Sequence, residues 1–131
     1  MSTAVAQPTR TTGAEGALHA FVAAISAGNI GAAAACFTRE GCMITPDGTA
    51  VHGRADIAAI LAQMIARRTE IEVEQLVVRR ADDIALATGR LALHSDGPDG
   101  IRILQTCGPT LALHRVEGSW KIAILAPWAN A

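Results

Sequence analysis

The stretch Cys42-Met43-Ile44-Thr45-Pro46-Asp47-Gly48-Thr49-Ala50-Val51-His52-Gly53-Arg54-Ala55-Asp56-Ile57 constrains the fold more than any other part of the chain. Its sixteen residues must hold a strand, a turn, a second strand and the start of a helix. Pro46 pre-sets φ for a turn, Asp47 can bond its own backbone and Gly48 supplies positive φ, so the chain reverses between two short strands. Gly53 then opens a helix. An Ala-rich helical region precedes this unit, and four long strands follow it, the last one beginning in Glu117-Gly118-Ser119-Trp120-Lys121-Ile122.

Leu18, Phe21, Val22 and Ile25 recur at helical spacing, which predicts a first helix with one apolar face. Gly28 offers a left-handed stop, and Asn29 can cap a second, shorter helix from Ile30 to about Phe37. Ile57, Ile60, Leu61, Met64 and Ile65 predict a third helix, with Arg67 and Arg68 complementing its dipole.

From Glu70 the pattern changes to alternation. Ile71 and Val73 share a face, the phase slips at Gln75, and Leu76 and Val78 continue, which predicts a bulge. Asp82-Asp83 make a turn into a strand from Ile84 to His94, and Ser95 to Gly100 read as a loop. A third long strand, Ile101 to Val116, contains Gly108-Pro109, and proline cannot donate to a ladder, so a bulge or bend is expected there. Glu117-Gly118 turn into a last strand from Ser119 to about Trp128. Consecutive strands joined by short turns make an antiparallel meander, and three preceding helices cover one face of it, an α+β architecture. Both faces of the strand from Ile84 and of the last strand are largely apolar, whereas a sheet with one solvated face alternates more cleanly. The outer face is therefore expected to be buried in a homodimer.

A chain of 131 residues, half of them apolar, supplies one domain with a sizeable core. We read Met1 to Thr12 as a loose tail and residues 13–131 as the domain. The net charge of −1 comes from interspersed charges with no basic stripe, so neither nucleic acid nor an anionic membrane is an expected partner. Ten arginines against one lysine and abundant alanine point to a GC-rich, bacterial genome. Cys36, Cys42 and Cys107, an odd number without repeated spacing, argue against a disulfide framework or a zinc ribbon and suit a reducing, cytoplasmic setting. The first dozen residues carry no apolar core of a signal peptide, and Glu15, His19, Ser26, Gly28, Asn29 and Gly31 interrupt the Ala-rich run that follows, so no membrane span is expected.

In order along the chain, Pro46-Asp47-Gly48, Gly53-Arg54-Ala55-Asp56-Ile57 and Gly118-Ser119-Trp120-Lys121-Ile122 resemble the recurring marks of the SnoaL-like branch of the nuclear transport factor 2-like superfamily. That branch includes polyketide cyclases and ketosteroid isomerases. The likeness runs from about Ala14 to Trp128. It implies a cone-shaped, curved antiparallel sheet wrapped around the three N-terminal helices, the cystatin-like roll, with a cavity between sheet and helices and a homodimer formed through the outer sheet face. The fold hosts isomerases, cyclases, hydrolases, dehydratases and binding proteins, so it does not by itself name an activity.

Aligned on the ketosteroid isomerases, Phe21 stands where a tyrosine donates to the developing enolate, and Thr45 stands where an aspartate serves as base. This chain has no tyrosine, and threonine is no base near neutral pH. Isomerisation by that mechanism is not expected, and no catalytic residue is assigned. Phe21, Met43, Thr45, His52, Met64, Gln105 and Trp128 are the expected ligand-binding residues. Each has a plainer reading: Asp47 beside them is a turn residue, His52 a surface or helix-entry side chain, Gln105 a group satisfied by backbone or water, Met43 and Met64 core fillers, Trp128 an anchor for the terminus. Arg90 can meet an anionic substrate or pair with Glu72 or Glu74, and His114 is expected to face a dimer partner. Neither His19, His94 and His114 nor the cysteines show metal-ligand spacing, and no nucleotide-binding or nucleophile motif is present, so no metal or cofactor is expected.

Two readings remain. One is a protein that holds a small, largely apolar molecule in an internal cavity, with cofactor-free isomerase, cyclase or lyase chemistry. The other is a non-catalytic ligand-binding or dimerisation module. A titratable group opening onto the cavity, His52 or Asp47, separates them.

Overall fold

The computed structural model describes residues 13–45 and 47–127. The tail over residues 1–12 and the cavity position expected for Trp128 lie outside the described residues. Three helices, α1 (Ala14–Ser26), α2 (Ile30–Ala35) and α3 (Arg54–Ala66), pack on a seven-stranded sheet. Its strands are β1 (Phe37–Ile44), β2 (Ala50–His52), β3 (Glu70–Ala81), β4 (Ile84–Asp96), β5 (Arg102–Cys107), β6 (Thr110–Val116) and β7 (Ser119–Ala126). The order is β2-β1-β7-β6-β4-β3, with β5 also on β4. The sheet is mixed rather than wholly antiparallel, because β1 and β7 pair in parallel, Met43 lying opposite Leu125.

The helices form where the spacing predicts. Leu18, Phe21 and Ile25 of α1 are buried, as are Ile57 and Leu61 of α3. Gly28 takes φ +71° after α1, and the Asn29 side chain accepts from the Ala32 amide at 3.0 Å, capping α2. That helix ends earlier than expected. Phe37 opens β1 instead, fully buried, with its ring edge-on to Phe21 at 5.7 Å.

The recurring marks acquire physical content here. Gly53 enters α3 at φ +88°, Arg54 donates to the Phe37 carbonyl through Nε (3.1 Å) and Nη2 (2.7 Å), and Ile57 is wholly buried. Helix α3 is thereby tied to the start of β1. The late mark turns at Gly118, φ +81°, and sends Trp120 and Ile122 into the core. Arg80 and Arg115 lie 5.2 and 5.6 Å from the Trp120 ring centroid.

One line of irregularities bends the sheet. Glu74 is the bulge between the Val73–Leu91 and Gln75–Arg90 pairs, so Ile71, Val73, Leu76 and Val78 all pack on the core. Opposite it lies Gly89, where an ideal Cβ would stand 2.0 Å from the Gln75 carbonyl oxygen. Next along the line is the Gly108-Pro109 break, which splits the expected third strand: β5 pairs with residues Leu91–Asp96 of β4, and β6 with Ile84–Thr88. Beyond the bend, β5 and the far half of β4 stand across from the end of α3.

On the outer face His52 pairs with Cys42, Cys42 with Ile124, Ile124 with Ala112, and Ala112 with Leu86. Ile84, Leu86 and Ile124 are 61, 49 and 45 % exposed on this face, and His114 lies beside Ile84. Among the described residues no helix is long and apolar enough to cross a membrane.

Candidate ligand cavity

A cavity of about 210 Å³ opens where the C-terminal end of α3 faces the bent-over part of the sheet. The hairpin supplies Met43 and Thr45, α3 supplies Ile60, Gln63 and Met64, and the chain leaving α3 supplies Arg67 and Thr69. Leu93, Ser95 and Gln105 close the opposite wall, Leu93 and Gln105 being a cross-strand pair of β4 and β5. A second, nearly filled recess of about 20 Å³ is wholly apolar. It shares Met43, Met64, Leu93 and Pro127 with the first cavity and reaches Phe21 and Leu91. The combined space is thus polar at its mouth and apolar at depth, the usual makeup of a small-molecule site.

Of the expected binding residues, Met43, Thr45, Met64 and Gln105 stand on the walls of the larger cavity and Phe21 on the recess. His52 does not join them. Met43 points to the core, so its neighbour Cys42 faces outward, and His52, opposite Cys42, is exposed on the outer sheet face. Arg90 is exposed on the same strand phase as Leu86, away from the cavity. The sequence reading missed Gln63, Arg67, Thr69 and Ser95. Ser95 and Gln105 share the inward phase of Leu93, which is the signal that a register argument can use.

The Thr45 hydroxyl has a prior engagement. It donates to Asp47 Oδ1, the Thr49 amide donates to the same oxygen at 3.1 Å, and the Gly48 amide donates to the Thr45 carbonyl at 2.9 Å. The Thr45 hydroxyl first, then the Thr49 amide, hold the Asp47 carboxyl below the ordinary aspartate range. Asp47 is the turn residue its plainer reading gives, and Thr45 offers the cavity an acceptor lone pair and a methyl group.

Beside the mouth lies a charged cluster. Asp96 accepts from Arg68 Nε at 2.8 Å and from Arg102 Nη1 at 3.0 Å, and Glu70 accepts from Arg102 Nη2 at 2.8 Å. Arg68 first, then Arg102, keep the Asp96 carboxyl below its usual range. Among the described residues no Asp, Glu, His or Cys lines the cavity. Burial pushes the thiols of Cys36 and Cys107 up, away from thiolate chemistry. Among the described residues no group of His, Cys, Asp and Glu is placed to hold a metal ion.

Residues 15–125 match the SnoaL-like domain family. A comparison with curated proteins returned no match. Solved structures agree in fold. A ketosteroid isomerase-like protein from Erwinia carotovora atroseptica superposes with a TM-score of 0.71 at 20 % identity, over 86 % of this chain and 89 % of that one. An uncharacterised protein with a cystatin-like fold from Caulobacter vibrioides gives 0.74 at 20 % identity, over 86 % and 83 %. A nuclear transport factor 2-like protein with a cystatin-like fold from Novosphingobium aromaticivorans gives 0.71 at 15 % identity, over 84 % and 75 %. The match over 111 of 131 residues makes this chain a member of the SnoaL-like domain family, and it shares the roll of these structures.

Proposed function

We propose that this protein binds a small, largely apolar molecule in the cavity between α3, the β1–β2 hairpin and the β4–β5 strands, and that it does so without acid–base chemistry of its own. The observation that carries this reading is the lining: amides, hydroxyls, one guanidinium and apolar side chains, with no Asp, Glu, His or Cys among the described residues there. His52 is on the far face of the sheet, and Asp47 is held ionised in its turn. Native mass spectrometry of freshly purified protein tests it. A mass increment over the denatured chain, lost when Leu93→Trp fills the space, is expected. An unliganded protein that also fails to take up any of a panel of small amphiphiles contradicts it.

The same reading includes a second copy of this chain on the outer sheet face. Its support is the exposed row of Leu86 and Ile124 with Ala112 between them, flanked by Ile84, an apolar surface of the kind that marks an interface. Sedimentation equilibrium of the wild type and of a Leu86→Glu/Ile124→Glu variant tests it, with a dimer expected for the first and a monomer for the second. A monomeric wild type at high concentration overturns it.

A further inference from the structure

Among the described residues, two polar groups of the cavity mouth are poorly matched by the protein. Thr69 is 6 % exposed, the one buried polar side chain among the described residues, and it lines the cavity. Its amide bonds the Met64 carbonyl at 3.0 Å, but its hydroxyl has no partner among the described residues. A buried hydroxyl left in that state is costly, and natural structures fill such positions with a partner. Arg67, two residues earlier, is the second. Three arginines and two carboxylates crowd this corner, and Arg68 and Arg102 take both carboxylates. Arg67 keeps only a 3.4 Å contact from Nε to the Asp96 backbone carbonyl. Among the described residues it is the one positive charge on the cavity wall, and none of them places a carboxylate there.

The plain alternative for Arg67 is a cation complementing the C-terminal dipole of α3. Arg67 is itself exposed, so water also solvates its charge, but this reading leaves the buried Thr69 hydroxyl unexplained. An anionic oxygen at the mouth answers both groups at once, accepting from the guanidinium and from the hydroxyl, and charge-assisted bonds of this kind are the stronger ones. Gln63, Ser95 and Gln105 surround the same spot with further donors.

We infer that the ligand is a small carboxylic acid bound as its anion, with its carboxylate between Arg67 and Thr69 and its apolar body directed past Met64 and Leu93 toward Phe21. This inference rests on the ligand-binding reading given above. A volume of about 210 Å³, beside an apolar recess that shares Met43, Met64 and Leu93 with it, sets the scale of a small acid.

Titration calorimetry with octanoate and octanamide, matched in length and differing in charge, tests it. Wild type is expected to prefer octanoate about tenfold, and the preference to shrink as ionic strength rises. Arg67→Gln is expected to bring the two affinities within about twofold of each other, Arg67→Lys to restore part of the difference, and Thr69→Val to weaken octanoate more than octanamide. Equal affinities in the wild type, both abolished by Leu93→Trp, overturn the acid while leaving the cavity as a binding site. A preference that survives Arg67→Gln unchanged overturns the role of Arg67. Binding of neither probe, or binding unaffected by Leu93→Trp, overturns the acid and the cavity reading together.

Discussion

Replacing Gly89 with alanine isolates the step on which the bent sheet depends. Gly89 has no positive φ, so its requirement is space and not conformational freedom. An ideal Cβ there meets the Gln75 carbonyl oxygen at 2.0 Å, the Gln75 carbonyl carbon at 2.9 Å and the Leu76 Cα at 3.1 Å. Ordinary contact begins near 3.4 Å, so the strands must part by about 1.4 Å at the first of these atoms. All three are backbone atoms, and no rotamer change relieves them. A separation of that size breaks the ladder bonds flanking the Gln75–Arg90 and Leu76–Gly89 pairs. Two such bonds at about 0.5–1.5 kcal/mol each, with about 1 kcal/mol or more of residual overpacking, give a loss of about 2–4 kcal/mol. For a chain of this length that is a fall in Tm of about 10 °C. Thermal and urea unfolding of Gly89→Ala measure it. The matched control is Gly31→Ala in α2, where a Cβ meets only the Asn29 side-chain oxygen at 3.7 Å. It is expected to be neutral or to stabilise by up to about 1 kcal/mol, since alanine loses less conformational freedom in a helix. A Gly89→Ala protein within 2 °C of wild type refutes the account of the bend.

Further expectations follow from single contacts. Leu61→Ala, at a wholly buried position of α3, is expected to cost about 2–5 kcal/mol in urea unfolding. Thr69→Val is expected to leave the ligand-free protein as stable as wild type or more so by up to about 1 kcal/mol, because the hydroxyl it removes has no partner among the described residues; a loss above about 1.5 kcal/mol means that it has one. Thr45→Val is expected to lower stability by about 0.5–1.5 kcal/mol through the turn, while changing octanoate affinity less than about twofold. Asp96 and Asp47 have folded-state pKa values below their unfolded value of about 3.9, so the stability they confer is present above about pH 4 and lost as pH falls through the folded values. The Tm of Asp96→Asn is therefore expected to fall less steeply than that of wild type below about pH 4, and an identical acid limb contradicts the assignment.

Much of the fold is legible in short-range pattern. The apolar face of α1, the Gly28 stop, the Asn29 cap and the bulge before Gln75 are written in residues close together, where periodicity and turn chemistry act directly. Long-range register is harder to read. The parallel pairing of β1 with β7 joins segments eighty residues apart, and nothing local announces it. The expected end of α2 falls too late because Ala-rich sequence suits a helix to about Phe37, whereas burial of Phe37 against Phe21 favours a strand from that point. His52 was misplaced by parity: the turn at Asp47-Gly48 pairs it with Cys42, and an inward Met43 turns both outward. The place of Thr69 and Arg67 on the cavity wall is hidden in the sequence because their neighbours across the cavity, Ser95 and Gln105, come from strands that the bend carries over the end of α3. In sequence the arginine shows only its fit to the helix dipole.

The most direct measurement is a ¹H–¹⁵N correlation titration of the labelled protein with octanoate and, in parallel, octanamide. Saturable shifts are predicted for the amides of Gln63, Arg67, Thr69, Leu93, Ser95 and Gln105, with those of Leu86, Ala112 and Ile124 on the outer face unmoved. Shifts confined to the outer face, or no saturable shift at the cavity with either probe, contradict the claim that this space is the protein's binding site.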